Sequence, residues 1–232
     1  MTTFVFIPGA GGNAWLWHLV EAELKRRGFD ALSVDLPADD DAAEFETYRD
    51  VVLEAMGDRT GIVLVAQSLG GYTAPLVVGH ADVRLIVLFA AMIPLPGESA
   101  GEWWTSTGQG EAMQEMAARE GRVLTEEFDA VQIFLNGVPT DLAEEAGRRA
   151  SDQSGTPFEK PFSLAAWPDI PTRFIAARND RFFPLEFQRR QARERLGIDI
   201  DEIDGGHLAN LSHPGQLVEL LVAYATSDVA EA

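Results

Sequence analysis

The run Gly61-Ile62-Val63-Leu64-Val65-Ala66-Gln67-Ser68-Leu69-Gly70-Gly71 decides the fold class. Its five apolar residues, β-branched ones among them, read as a strand buried on both faces of a parallel sheet. A helix opens directly behind it on two glycines. Ser68 sits at the junction, with Ala66 and Gly70 two positions to either side. A sharp strand-to-helix turn needs neighbours with almost no side chain. It strains the serine backbone and lifts the hydroxyl clear of the sheet, in front of a helix N-terminus. The pattern is G-x-S-x-G with Ala66 in the first place, a change of one methyl group. The plainer reading of these residues is a serine that N-caps the helix from about residue 69.

Residues downstream favour a nucleophile. A hydroxyl near neutral pH needs an adjacent base, and the base needs an orienting partner. The chain has four histidines, His18, His80, His207 and His213. His207 follows a short strand around 198–203, within Ile203-Asp204-Gly205-Gly206-His207-Leu208, where two glycines make a close-fitting loop end. Asp180 follows the apolar run Phe174-Ile175-Ala176-Ala177 and precedes a helix from about Pro184. Asp204 is its rival, but it shares the loop of His207 and is badly placed to approach the ring from behind. His213, before Pro214, reads as structural or solvated. His18, beside Trp15 and Trp17, reads as a packing residue, and His80 suits a helix C-terminus. Ser68, Asp180 and His207 therefore fill three roles, each at the C-terminal end of a strand.

A tetrahedral intermediate needs donors for its oxyanion. The strand Phe4-Val5-Phe6-Ile7 runs into Pro8-Gly9-Ala10-Gly11-Gly12-Asn13, and this glycine density lets backbone N–H groups point inward. The expected donors are the amides of Ala10 and Leu69. A phosphate-cradling loop is the competing reading, but neither G-x-G-x-x-G nor G-x-x-x-x-G-K-[ST] fits Gly9 to Trp15.

The chain has 232 residues, 46% hydrophobic, enough for one domain with a substantial core. A net charge of −19 argues against nucleic acid or an anionic membrane as partner. With no cysteine there is neither a disulfide nor a thiol nucleophile nor a Cys metal site. Phe4 to Ile7 is too short for a secretory h-region, and no stretch reaches transmembrane length, so a cytoplasmic address is the default expectation. No metal and no organic cofactor is expected.

Strands are expected near 3–7, 30–35, 61–66, 84–90, 172–177 and 198–203. Helices are expected near 14–27, 42–57, 69–80, 185–196 and 214–225. This alternation predicts an α/β fold, a mostly parallel sheet of about six strands with helices on both faces. The rhythm breaks between Pro94 and Pro168, where helix-prone runs such as Glu111 to Glu120 and Asp141 to Ala150 predict a helical cap. The expected organisation is one domain over 1–232, with core segments 1–93 and 169–232 and a cap at about 94–168. Trp103, Trp104, Met113, Met116, Phe128, Phe134 and Trp167 are available to wall a pocket, with Trp103, Trp104, Phe134 and Trp167 the expected substrate contacts. Ser227 to Ala232 is expected to fray.

On these residues the chain resembles the α/β-hydrolase superfamily. Within it, the chain is similar to the small esterase branch that includes plant methylesterases and hydroxynitrile lyases. The stretch from Phe4 to Trp15 resembles that branch's first strand, oxyanion loop and Trp-bearing helix. Ser68, Asp180 and His207 fall on its triad motifs in the same chain order, and Pro94 to Ser99 resembles the start of its cap. The likeness covers the core on both sides of the insertion and is weak within the cap.

Two departures bear on chemistry. The branch's oxyanion loop starts with His-Gly, a histidine that orders the loop, where this chain has Pro8-Gly9. Its hydroxynitrile lyases carry a lysine after the catalytic histidine and a threonine in the loop, where this chain has Leu208 and Ala10. The resemblance thus implies a serine hydrolase of a small, apolar carboxylic ester, lactone or thioester. A lyase, cyclase or C–C hydrolase using the triad as a general base is the alternative. A non-catalytic binding protein on the same scaffold is the third reading.

Overall fold

The computed structural model describes residues 2–124 and 129–226; Phe128 and the tail Ser227 to Ala232 lie outside the described residues. Six strands form one all-parallel sheet: β1 (Thr3–Ile7), β2 (Asp30–Ser33), β3 (Ile62–Ser68), β4 (Val83–Ala91), β5 (Thr172–Ala177) and β6 (Ile200–Ile203). Their order is β2-β1-β3-β4-β5-β6. The chain leaves β1 toward one edge and returns to the other side of β1 as β3. The loops after these two strands therefore diverge, and the crevice between them is where open α/β sheets bind ligands.

The helices are α1 (His18–Arg26), α2 (Phe45–Met56), α3 (Gly70–Val77), α4 (Ala100–Thr107), α5 (Gln109–Arg119), α6 (Ala130–Ile133), α7 (Thr140–Arg148), α8 (Thr156–Glu159), α9 (Leu185–Leu196), α10 (Ala209–Ser212) and α11 (Pro214–Thr226). Strand periodicity sorts the core into two layers. Val5, Ile7, Leu64, Ala66, Ile86 and Leu88 pack with α2, α3 and α9. Phe4, Phe6, Val63, Val65, Val87 and Phe89 face α1 and α11. Central strands are apolar on both faces because both are covered. The four-residue edge strands carry Asp30 on β2 and Asp201 and Glu202 on β6, charges that discourage further pairing.

Some element ends differ from the expectation. The helix expected over 14–27 begins as a 3₁₀ turn, Ala14–Trp17, because Asn13 Oδ1 accepts from the Trp15 N–H at 2.9 Å and tightens the start. The helix after Ser68 stops at Val77, since Val78 turns extended and bridges to Ala81. His80 consequently lies beyond the helix end, exposed.

Between β4 and β5 the chain inserts α4 to α8 in place of a single crossover helix. Buried ties bind this segment to the core. Trp103 Nε1 donates to Ile93 O at 3.2 Å, Gln109 Nε2 to Phe182 O at 2.6 Å and Ser154 N to Ala38 O at 2.7 Å. Glu98, just before α4, pairs with Arg195 of α9, and both side chains are at most a tenth exposed. Arg195 Nη1 also donates to Ile93 O at 2.7 Å. Among the described residues no helix is long and apolar enough to cross a membrane.

Two predictions follow from this packing. A Cβ at Gly71 would lie 1.9 Å from Met92 O, whereas one at Gly110 would meet nothing within 4 Å. Gly71→Ala is expected to cost about 3 kcal/mol, lowering Tm by roughly 6–12 °C, while Gly110→Ala is neutral or slightly stabilising. Equal melting curves for the two variants would refute the close approach of α3 to β4.

Arg195→Met should also destabilise, by about 3 kcal/mol at neutral pH, because it strands a buried carboxylate. Burial alone pushes Glu98 up, but hydrogen bonds from Arg195 and Ser106 and the Leu95 amide outweigh it and hold the carboxyl below its usual range. A depressed folded-state pKa contributes stability above the unfolded value, and that stability is lost as pH falls through the folded value. The difference between wild type and variant in denaturant melts should therefore shrink as pH drops below about 4.

Candidate active site

Ser68 ends β3 at φ 53°, in the left-handed region that side chains other than glycine rarely adopt. The turn is held from three sides. Met92 N donates to Ser68 O at 2.9 Å, tying it to the end of β4. A Cβ on Gly70 would come within 2.7 Å of Pro8 O, so the helix start lies against the loop after β1. A Cβ on Gly9 would come within 2.8 Å of the Ser68 Cβ, so that loop also abuts the serine. Behind Ser68 rises the N-terminus of α3.

Asp180 and His207 come from adjacent strand ends. Arg178 N donates to Ile203 O and Asn179 N to Gly205 O, each at 2.9 Å, which extends the β5–β6 pairing into the two loops. His207 Nδ1 lies 2.8 Å from Asp180 Oδ2. The other carboxylate oxygen accepts from the Phe182 and Phe183 amides at 2.8 and 2.9 Å. Asp180 is 0% and His207 3% exposed, so the pair is shielded from water. An ionised carboxylate accepts only, which places a proton on Nδ1 and leaves Nε2 as the ring's free acceptor. Asp204, the rival acid, instead binds Arg178 at 2.8 Å and Gln216 on the surface.

Ser68, His207 and Ala10 line one cavity of about 360 Å³. Leu69 is buried at the base of α3. The inserted segment supplies the opposite wall through Phe134, Leu135, Ala146, Ala150 and Gln153. Among the described residues, no Asp, Glu, Lys or Arg lines the cavity. Nor do the described residues hold a group of three His, Asp or Glu arranged to bind a metal.

Of the four aromatic residues expected to touch substrate, Phe134 lines the cavity, its ring 5.4 Å from that of His207. The other three stand back from it. Trp103 is fully buried, packed on Phe183 and Phe187. Trp104 sits behind Phe182, at 5.5 Å between ring centres. Trp167 bonds Thr172 Oγ1 at 3.0 Å, at the start of β5, a strand length of about 16 Å from its active end. Phe182 and Phe183, whose rings lie 5.2 and 5.1 Å from the imidazole, flank it instead. Their place two and three residues after Asp180 in the sequence was the available signal. His18 stacks on Trp15, and His213 Nδ1 lies 2.9 Å from Ser212 Oγ, both apart from this cavity.

The sequence profile of the alpha/beta hydrolase family matches residues 4–220. The chain is 26% identical to the probable esterase PIR7A of Oryza sativa, over 96% of each chain. It is 24% identical to polyneuridine aldehyde esterase of Rauvolfia serpentina, over 97% of this chain and 96% of that one. The solved structure of polyneuridine aldehyde esterase superposes with a TM-score of 0.80 at 20% identity, covering 97% and 99% of the two chains. A methylesterase from Arabidopsis superposes with a TM-score of 0.73 at 18% identity, covering 96% and 98%. With profile, full-length relatives and sheet order in agreement, the chain belongs to the alpha/beta hydrolase family, as an enzyme of its esterase branch.

Proposed function

We propose that this enzyme is a serine hydrolase that cleaves a neutral carboxylic ester through an acyl-enzyme, with α4 to α8 as a cap over the site. The carrying observation is the shielded His207–Asp180 pair on the same cavity as a serine in a left-handed turn. Ser68 Oγ attacks the ester carbonyl carbon while His207 Nε2 takes its proton. Asp180 holds the tautomer and stabilises the imidazolium that forms. The carbonyl oxygen, now anionic, takes hydrogen bonds from the Ala10 and Leu69 amides, the second at the N-terminus of α3. As the tetrahedral species collapses, the C–O bond breaks and His207 gives its proton to the departing alcohol. Water then enters, loses a proton to His207, attacks the acyl carbon and releases the acid and Ser68. A lactone or a thioester offers the same carbonyl.

The two backbone amides that donate to Asp180 bear on the acid's role. Phe182 and Phe183 N–H hold Asp180 Oδ1, so Oδ2 is left for the imidazole alone. Leu208 lines the cavity where a hydroxynitrile lyase would carry a lysine, which favours hydrolysis over cyanohydrin cleavage.

Intact mass after exposure to a small fluorophosphonate tests the nucleophile. One adduct is expected on the wild type and none on Ser68→Ala, with ester turnover falling about 10⁶-fold in the variant. Asp180→Asn should lose about 10⁴-fold in kcat, since the amide favours the wrong tautomer. Unchanged turnover in Ser68→Ala would sink the assignment.

The uncharged lining predicts selectivity. A free carboxylate on the acyl group would be desolvated with no cation beside it, and the protein's net charge of −19 adds to the repulsion. Neutral short-chain esters should exceed matched esters bearing a carboxylate by about 100-fold in kcat/KM. Parity between the two series would refute a cavity built for neutral substrates.

A further inference from the structure

The loop after β1 closes as a four-residue turn, Gly9-Ala10-Gly11-Gly12, through a Gly12 N–H to Gly9 O bond of 3.1 Å. Gly11 has φ 81°, the value of the third residue in a type II turn. Such a turn has one soft degree of freedom. Rotating its central peptide, here Ala10–Gly11, converts type II to type I while the outer bond stays closed. Gly11 N–H faces the cavity-lining Gln153, so the rotation would turn the Ala10 carbonyl oxygen to that side unless something holds the peptide.

A side chain does so. Gly11 N donates to Gln153 Oε1 at 3.1 Å. Gln153 lies in the polar run Ser151-Asp152-Gln153-Ser154 between α7 and α8 and lines the cavity. Its Nε2 donates to Tyr48 Oη and to Ser154 O, both at 3.1 Å, with Ala38 O at 3.4 Å. These partners fix which way the amide faces. Turned over, its NH₂ would oppose the Gly11 N–H and its oxygen would face two carbonyls. The anchor is rigid: Tyr48 belongs to the core, and burial pushes its hydroxyl up, so it stays protonated. Next to Gln153, Ser154 N holds Ala38 O and Ser154 Oγ holds Asp41 Oδ1 at 2.8 Å.

We propose that Gln153 is a positioning residue that locks the Gly9–Gly12 turn in its type II form, so that the Ala10 carbonyl oxygen cannot turn to the cavity side, beside the oxyanion that the Ala10 N–H receives. This rests on the reading of Ala10 as an oxyanion donor. Gln153 supplies from the cap the order that a His-Gly loop start would supply from within. It also makes oxyanion stabilisation conditional on the cap being seated, because the glutamine reaches Gly11 only from the 151–154 segment. Gln153 itself stays clear of bond making and breaking; it acts through the Ala10–Gly11 peptide.

The test is Gln153→Met, similar in length but without the amide. Positioning predicts a kcat loss of about 10- to 100-fold with KM within twofold, since a carbonyl oxygen turned to the cavity opposes the oxyanion only once charge develops. Affinity for an alkylboronic acid, which forms a tetrahedral anion on the serine, should fall by the same factor, while the melting temperature moves little. Tyr48→Phe removes one anchor of the amide and should lower kcat about threefold in the same direction. It decides the matter if Gln153→Met does not fold. A folded Gln153→Met with kcat within twofold of wild type, a loss confined to KM, or an unchanged Tyr48→Phe where that variant decides, overturns the role. A wild type that neither reacts with fluorophosphonate nor turns over esters would instead mark failure of the hydrolase reading itself.

Discussion

The left-handed backbone at Ser68 is the constraint on which the site depends. For an L-residue this conformation costs about 1–2 kcal/mol, so the surroundings must over-determine it. They do so through the sheet. The β3–β4 register pairs Gln67 with Phe89 and Ser68 with Ala91, which leaves Ala90 as an extra residue on β4. Ala90 is itself left-handed, at φ 43°. A bulge on the neighbouring strand thus gives the turn at Ser68 its room, and Met92 N caps the Ser68 carbonyl just beyond it. The small residues around the serine serve the same end. Gly9, Gly70 and Gly71 sit where a methyl would strike Ser68, the loop after β1 or the end of β4. Ala66 takes the first motif position without penalty because its methyl is absorbed in the layer beneath α2 and α3.

Topology then places the other groups with little further cost. The order β2-β1-β3-β4-β5-β6 makes β1 and β3 neighbours whose outgoing loops part, and Ser68 and the Gly9–Gly12 loop flank that gap. On the far side, β5 and β6 are adjacent, so an acid after one strand meets a histidine after the next by continuing the strand pairing for two residues. The acid is held by backbone amides and not by a cation. That suits the role proposed for Asp180, to hold the imidazole, because a neighbouring arginine would compete for the carboxylate. Arg181, the nearest cation in sequence, pairs with Glu120, and Arg178 is occupied on the surface by Glu202 and Asp204.

Much of this was legible in the sequence, for reasons that also mark the limits. Strands buried on both faces appear as uninterrupted apolar runs, so β1, β3, β4 and β5 could be placed closely. The edge strands β2 and β6, half-polar and four residues long, were overestimated by two residues each. The chemistry of a nucleophile, acid and base in chain order singled out Ser68, Asp180 and His207, and the fold brings the last two into contact. Aromatic composition carries no such directional information. Trp167 and Phe134 look equally suited to a pocket in one dimension, yet one lies at the start of β5 and the other beside the imidazole. Gln153 lay in a polar run that reads as an ordinary loop, and only its partners in space give it meaning.

The inserted segment therefore does more than roof a cavity. It reaches the core at both halves of the catalytic arrangement. Asn136 Nδ2 donates to Asn179 O at 2.9 Å, next to the acid, and the Asn136 side chain and carbonyl fill the space a Cβ on Gly206 would need, next to the base. Phe134 covers the imidazole, and Gln153 holds the loop that faces Ser68. The loop after β1 starts Pro8-Gly9, and the inserted segment gives it a hydrogen bond through Gln153. The segment that walls the cavity is thereby tied to the loops that carry Asp180 and His207. On the proposed mechanism, a change to the cavity wall between α6 and α8 also disturbs the loops that carry Ala10, Asp180 and His207, because the same stretch touches all three.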